Sequence, residues 1–123
     1  MEKKQFQNYK FENLEVWKLG MEIVHEIYTV TKKFPKEELF ALTSQLKRAG
    51  TSILLNIAEG TGQPTSKGFS VYIHRAKSSA LECVAALKIA VQEKWIIADE
   101  IKPLSALLEK EYFKLIALEK SIR

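Results

Sequence analysis

The chain has 123 residues, 46% hydrophobic and 28% charged, which is the balance of one soluble globular domain and excludes a disordered tail. A single cysteine, Cys83, rules out an intramolecular disulfide scaffold, and five glycines rule out a collagen-like chain. The net charge of +4 makes nucleic acid a reasonable partner class, while no apolar run approaches the roughly 20 residues of a membrane span.

Residues 1–12 read as an N-terminal arm and residues 13–123 as one bundle of helices. The arm is charged and has no apolar run behind it, so it is not a secretory signal, and the expected location is the cytoplasm. The first predicted helix runs from about Asn13 to Lys33, with Asn13 as its N-cap and Glu15 in its first turn. Val16, Leu19, Ile23, Ile27 and Val30 form one apolar stripe at helical spacing. Trp17, Met21, Val24, Tyr28 and Thr31 form a second stripe beside it. The second helix is expected from about Lys36 to Glu59, with Leu39, Leu42, Leu46, Ala49, Ile53 and Ile57 facing the core. Gly50 reads as a site of close helix approach and Gly60 as the residue that ends the helix.

The third helix is expected from Ser66 to Lys94, on the stripe Phe69, Ile73, Ala76, Ala80, Cys83, Leu87 and Ala90. Cys83 on that stripe is expected to be buried and inert. The fourth helix starts at Asp99, its expected cap, and repeats Ile101, Leu104, Leu108, Tyr112, Leu115, Leu118 and Ile122 in a near-heptad rhythm. Pro103 falls in its first turn, where a missing N–H costs little. Four such segments with short connections predict an all-α, up-down-up-down antiparallel four-helix bundle. Phe40, Leu54, Leu55, Val71, Tyr72, Leu81 and Val84 lie outside the core stripes. That surplus predicts a homo-oligomer, with wider core stripes as the alternative.

The chemistry-bearing residues are sparse. A di-iron bundle needs two Glu-x-x-His pairs, and here Glu22 and His25 form one, whereas His74 is preceded at that spacing by Val71. No metal and no cofactor is expected. The run from Gly60 to Gly68 lacks the order of a nucleotide-binding P-loop, but it offers backbone N–H groups and Lys67 at a helix start, a generic place for one phosphate. Gln45, Arg48, Ser52, Asn56 and Glu59 lie along one side of the second helix and read as a structural polar network. Catalysis by Glu59 or Cys83 is not expected, because no second acid or base is placed beside either. Residues 61–94 carry +3 and residues 1–11 carry +2. Lys67, Arg75, Lys77 and Lys88 are therefore the candidates for binding RNA or DNA without sequence preference. A protein–protein scaffold without nucleic-acid binding is the alternative.

The run Leu42-Thr43-Ser44-Gln45-Leu46-Lys47-Arg48-Ala49, with Ser52-Ile53 and Asn56-Ile57-Ala58-Glu59-Gly60, resembles the small bacterial proteins encoded in intervening sequences of 23S ribosomal RNA genes. Leu14-Glu15-Val16-Trp17, Phe34-Pro35-Lys36-Glu37-Glu38, Ser66-Lys67 with Phe69, and Arg75-Ala76 with Ser79 and Glu82 extend the resemblance over about residues 12 to 120. Leu54-Leu55 stands where that family often has Pro-Ser, and Val84 where it often has a second glutamate. The resemblance implies a four-helix bundle in a ring-like homo-oligomer, with a pentamer as the expected size. It implies a relationship to the retroelement accessory protein that binds nucleic acid and a reverse transcriptase, so a reverse-transcriptase-like protein is a further expected partner. It does not imply an enzyme.

Overall fold

A computed structural model describes residues 9–122; Lys3 and Lys4 of the basic arm lie outside them. The described residues form four α-helices and no strand: α1 (Glu15–Val30), α2 (Leu42–Thr61), α3 (Ser66–Gln92) and α4 (Ala98–Ser121). A short 3-10 turn, Lys10–Asn13, leads into α1. Phe11 packs there on Trp17, with ring centres 4.5 Å apart.

Each helix packs on two neighbours, α1 on α2 and α4, and α3 on α2 and α4. All four seams are antiparallel. Gly20 faces Leu54 and Gly50 faces Ile27 across α1–α2. Ser52 meets Ser79 across α2–α3, Lys77 meets Glu119 across α3–α4, and Glu15 meets Lys114 across α1–α4. The up-down-up-down order follows from the short connections.

The buried residues follow the expected stripes closely. Ile23, Ile27, Leu46, Ile53, Ile57, Ile73, Leu87, Leu104, Leu108 and Leu115 are fully buried. Gly50 is the expected close approach: a Cβ there would lie 2.6 Å from Ile27 Cδ1. Cys83 is buried, and burial pushes its thiol up to about 12.

The helix ends differ from expectation. Leu14, not Asn13, precedes the first residue of α1, and Asn13 makes no capping bond. The segment after Pro35 first forms a 3-10 turn, Lys36–Glu38. The Glu38 carboxylate then accepts the Leu42 N–H at 3.2 Å and starts α2 there, which leaves Leu39 half-exposed outside the core. Gly60 does not end α2; it is buried inside it, and a Cβ there would lie 2.9 Å from the Phe69 ring. Gly62 takes the terminal position. Glu100, not Asp99, caps α4, its carboxylate accepting the Ile97 N–H at 2.9 Å. Lys33 pairs with the same carboxylate and holds it below the usual range.

The second stripe of α1 flanks the core: Met21 and Tyr28 are exposed and Trp17 and Val24 half-buried, because Val16, Leu19, Ile23 and Ile27 fill the interior, while Thr31 is buried. One core expectation fails. In α4 the position between Leu108 and Leu115 that faces inward is Glu111, not Tyr112. Tyr112 turns sideways toward α3 and lines a groove there.

Candidate nucleic-acid interface

The α2–α3 connection is fixed by its chemistry. Thr65 adopts extended backbone and its hydroxyl accepts the Gly68 N–H at 3.0 Å, so α3 begins at Ser66 with Lys67 in its first turn. Antiparallel packing sets that turn beside the last turns of α4. A cleft of about 790 Å³ opens between them.

Three of the four sequence-predicted cations meet in this cleft: Lys67, Arg75 and Lys77. Lys120 and His74 join them, and Val71, Ile116 and Ile122 give it apolar wall. The one carboxylate is Glu119. It is well used: Lys77 Nζ lies 2.9 Å from Oε1, and His74 Nδ1 lies 3.6 Å from Oε2. Lys77 is largely covered as a result. Lys67, Arg75 and Lys120 remain exposed. The Arg75 guanidinium stacks over the Tyr72 ring at 4.8 Å, which holds its fork at the surface and presents a flat cationic face.

Lys88 is not part of the cleft. It lies about 16 Å further along α3 than Lys77, at 1.5 Å per residue, and lines a different groove between α3 and α4 with Leu81, Val84 and Phe113.

The predicted polar network divides. Ser52 Oγ receives Asn56 Nδ2 at 2.9 Å and the Ser79 hydroxyl at 3.0 Å, joining α2 to α3. Gln45 and Arg48 lie along the rim of a depression shared with Ser52 and Glu82. Glu59 stands apart: its side chain is exposed, and only its backbone carbonyl is engaged, by Gln63 Nε2 at 3.3 Å. Its spacing from Ser52 and Asn56 is right, but at this turn α2 sets Gly60 against Phe69 and Tyr72 of α3, and Glu59 beside it stays exposed.

Sequence reasoning did not name Lys120 or Glu111, and it weighed His74 only as a metal ligand. Lys120 and His74 carry no local motif, and only the pairing of chain-distant turns brings them to the cleft. Glu111 did leave a trace: spacings of four, three and four run through Leu104, Leu108, Glu111 and Leu115. Among the described residues, no group of three or more His, Cys, Asp or Glu side chains could hold a metal ion. No helix among them is long and apolar enough to cross a membrane.

Comparisons with known proteins agree with this architecture. The model of a family described as 23S rRNA-intervening sequence protein matches residues 12–117. A solved structure from Bacteroides thetaiotaomicron, described as a protein with unknown function from the S23 ribosomal protein family, superposes with a TM-score of 0.78. It is 22% identical, and the match covers 85% of this chain and 98% of that one. At that identity the likeness is one of fold. No curated protein matches the chain in sequence.

Proposed function

The chain belongs to the 23S rRNA-intervening sequence protein family, and from that premise we propose that it is a non-enzymatic oligomeric protein that binds the phosphate backbone of RNA or DNA. The observation that carries this reading is the convergence of Lys67, Arg75, Lys77 and Lys120 on one cleft against a single carboxylate. The exposed Lys67, Arg75 and Lys120 would neutralise backbone phosphates, the Arg75–Tyr72 stack would offer a face to an unpaired base, and the α3 N-terminus adds its dipole. Nothing in the cleft presents a rigid pattern of donors to base edges, so the expected binding is insensitive to sequence. The surplus apolar surface supports assembly into a ring-like homo-oligomer, with five copies as the expected number, which would repeat the cleft around a belt. Its single thiol is buried and unpaired, which suits a reducing cytoplasm.

Titration of labelled single-stranded and duplex RNA and DNA at about 50 and 200 mM salt tests the reading. Three free cations per cleft give an expected slope of log K against log salt of about −2 for a single strand held by one cleft. Lys67→Glu with Arg75→Glu should abolish binding at the higher salt. Binding of none of the four probes at the lower salt would refute the proposal. The exposed apolar surfaces favour a second reading, a scaffold for another protein such as a reverse-transcriptase-like enzyme. Capture of one such partner, undiminished by nuclease and by the cleft variants, would support that reading instead.

A further inference from the structure

A second concave site lies at the α1–α2 connection, at the other end of the bundle from the basic cleft. Thr43 there stands about 27 Å along α2 from the turn that leads to the cleft, at 1.5 Å per residue. A cavity of about 380 Å³ opens beside it. Lys32, Lys36 and Lys47 line this cavity, with Phe34, Pro35 and Leu39 as apolar wall and no carboxylate.

The charge of the cavity is uncompensated. None of the three lysines is in an ion pair among the described residues. Lys47 Nζ stands 4.7 Å from the centre of the Tyr28 ring, which holds the ammonium without neutralising it. The neighbouring carboxylates are engaged or turned elsewhere. Glu38 accepts the Leu42 N–H, Glu100 pairs with Lys33, and Glu37 is exposed and does not line the cavity.

Thr43 aims a donor at the same space. It is only 5% exposed, yet its hydroxyl has no hydrogen-bond partner among the described residues. Unlike the Glu111 oxygens, that hydroxyl is not sealed from solvent, so the cavity it lines is where it finds a partner. The Thr43 N–H is free as well, because α2 begins at Leu42 and its first intrahelical bond runs from Gln45 N–H to Ala41 O. A buried hydroxyl, a first-turn N–H and three ammonium groups all lack an acceptor, and one anion would serve them together.

The number of charges selects the anion. An internal phosphodiester carries one negative charge, whereas a phosphate monoester carries about −1.5 to −2 at pH 7. Three lysines match the monoester. The apolar wall suits the group that bears the phosphate, and the volume falls in the range of small-ligand pockets, roughly 300–1,000 Å³. We propose that this cavity binds the terminal phosphate monoester of a nucleotide, either free or at the end of a strand. The site stands apart from the basic cleft and does not depend on it.

Calorimetric titration with adenosine 5′-monophosphate, inorganic phosphate and adenosine at about 50 mM salt tests the proposal. The monophosphate should bind, phosphate more weakly, and adenosine not at all. Inorganic phosphate binding as tightly as the monophosphate would overturn the nucleotide. Lys32→Gln with Lys36→Gln should lower affinity about tenfold or more, and both side chains are exposed, so the fold should survive. Thr43→Val changes no charge and should still lower affinity about tenfold, while Thr43→Ser should keep it. Unchanged affinity in the double lysine variant overturns the proposal, and so does unchanged affinity in a folded Thr43→Val. Lys67→Glu with Arg75→Glu should leave monophosphate binding intact; its loss there would move the ligand to the cleft. In that cleft variant, a short oligonucleotide bearing a 5′-phosphate that outbinds its 5′-hydroxyl form identifies a strand end as the ligand. Equal binding of the two forms, with the monophosphate bound, identifies the free nucleotide. Binding of neither the monophosphate nor the phosphorylated strand overturns the proposal, as does a phosphotyrosine peptide that binds where both of them fail.

Discussion

Glu111 sits where a leucine would be expected. It is fully buried on α4, and neither carboxylate oxygen has a hydrogen-bond partner. The room it occupies exists because residue 20 is glycine: a Cβ there would lie 3.3 Å from Glu111 Oε2 and 2.7 Å from Leu54 Cδ2. Burial drives the carboxyl from 4.5 up to about 8, and the Lys114 ammonium offsets this only in part. Lys114 is itself drawn outward to Glu15, 3.3 Å away. The sign of the pH dependence follows. The folded chain holds its proton more tightly than the unfolded chain, so stability falls as pH rises from about 4.5 to about 8 and is level above that. Glu111→Gln should flatten this part of the profile. Glu111→Met should also raise stability at pH 9 by about 1–4 kcal/mol, as replacing a buried charge by a packed apolar group does. Thermal melts between pH 5 and 9 check both; an unchanged pH slope in Glu111→Gln would show that the acid is ionised throughout.

The helices themselves were legible wherever an apolar stripe met a strong breaker. Phe34-Pro35 and the Gly60 to Pro64 stretch marked two of the three connections, and the stripes of α2 and α3 were read residue by residue. The third connection was faint because its punctuating residue is a lysine. Lys94 takes the left-handed conformation, φ 66°, that ends a helix. Trp95 N–H then reaches back to Ala90 O at 3.1 Å and Lys94 N–H to Val91 O at 3.0 Å, the bonds of a Schellman termination. Glycine is the usual occupant, since a Cβ is strained there. Lys94→Gly should therefore stabilise the fold by about 0.5–1 kcal/mol, measured by urea denaturation with an unchanged slope. The starts of α2 and α4 were misplaced for a related reason. Glu38 and Glu100 cap from within or before the turn with long side chains, which local rules favouring Asn and Asp do not anticipate. In α4, a rhythm of three and four admits either Glu111 or Tyr112 as the core residue, and hydropathy chose the wrong one.

At the scale of the whole molecule, the candidate cleft was half legible. The basic excess of α3 is written in its sequence, but Lys120 lies 53 residues beyond Lys67 in the chain, and only the antiparallel α3–α4 seam brings them together. The same seam shows Lys77 committed to Glu119 and Lys88 turned into a different surface. If copies assemble, each ring multiplies the cleft, and a strand spanning several clefts gains avidity without any new contact. A strand long enough to span several clefts should thus bind at least tenfold more tightly than a short oligonucleotide in the same titration; equal affinities would show that each cleft acts alone. The orphan acid in the core has a calorimetric consequence as well. At neutral pH each chain must take up about one proton from its surroundings in order to fold. The measured heat of unfolding will therefore shift with the ionisation enthalpy of the buffer, and the native state will act as a small reservoir of protons that is discharged whenever the bundle opens.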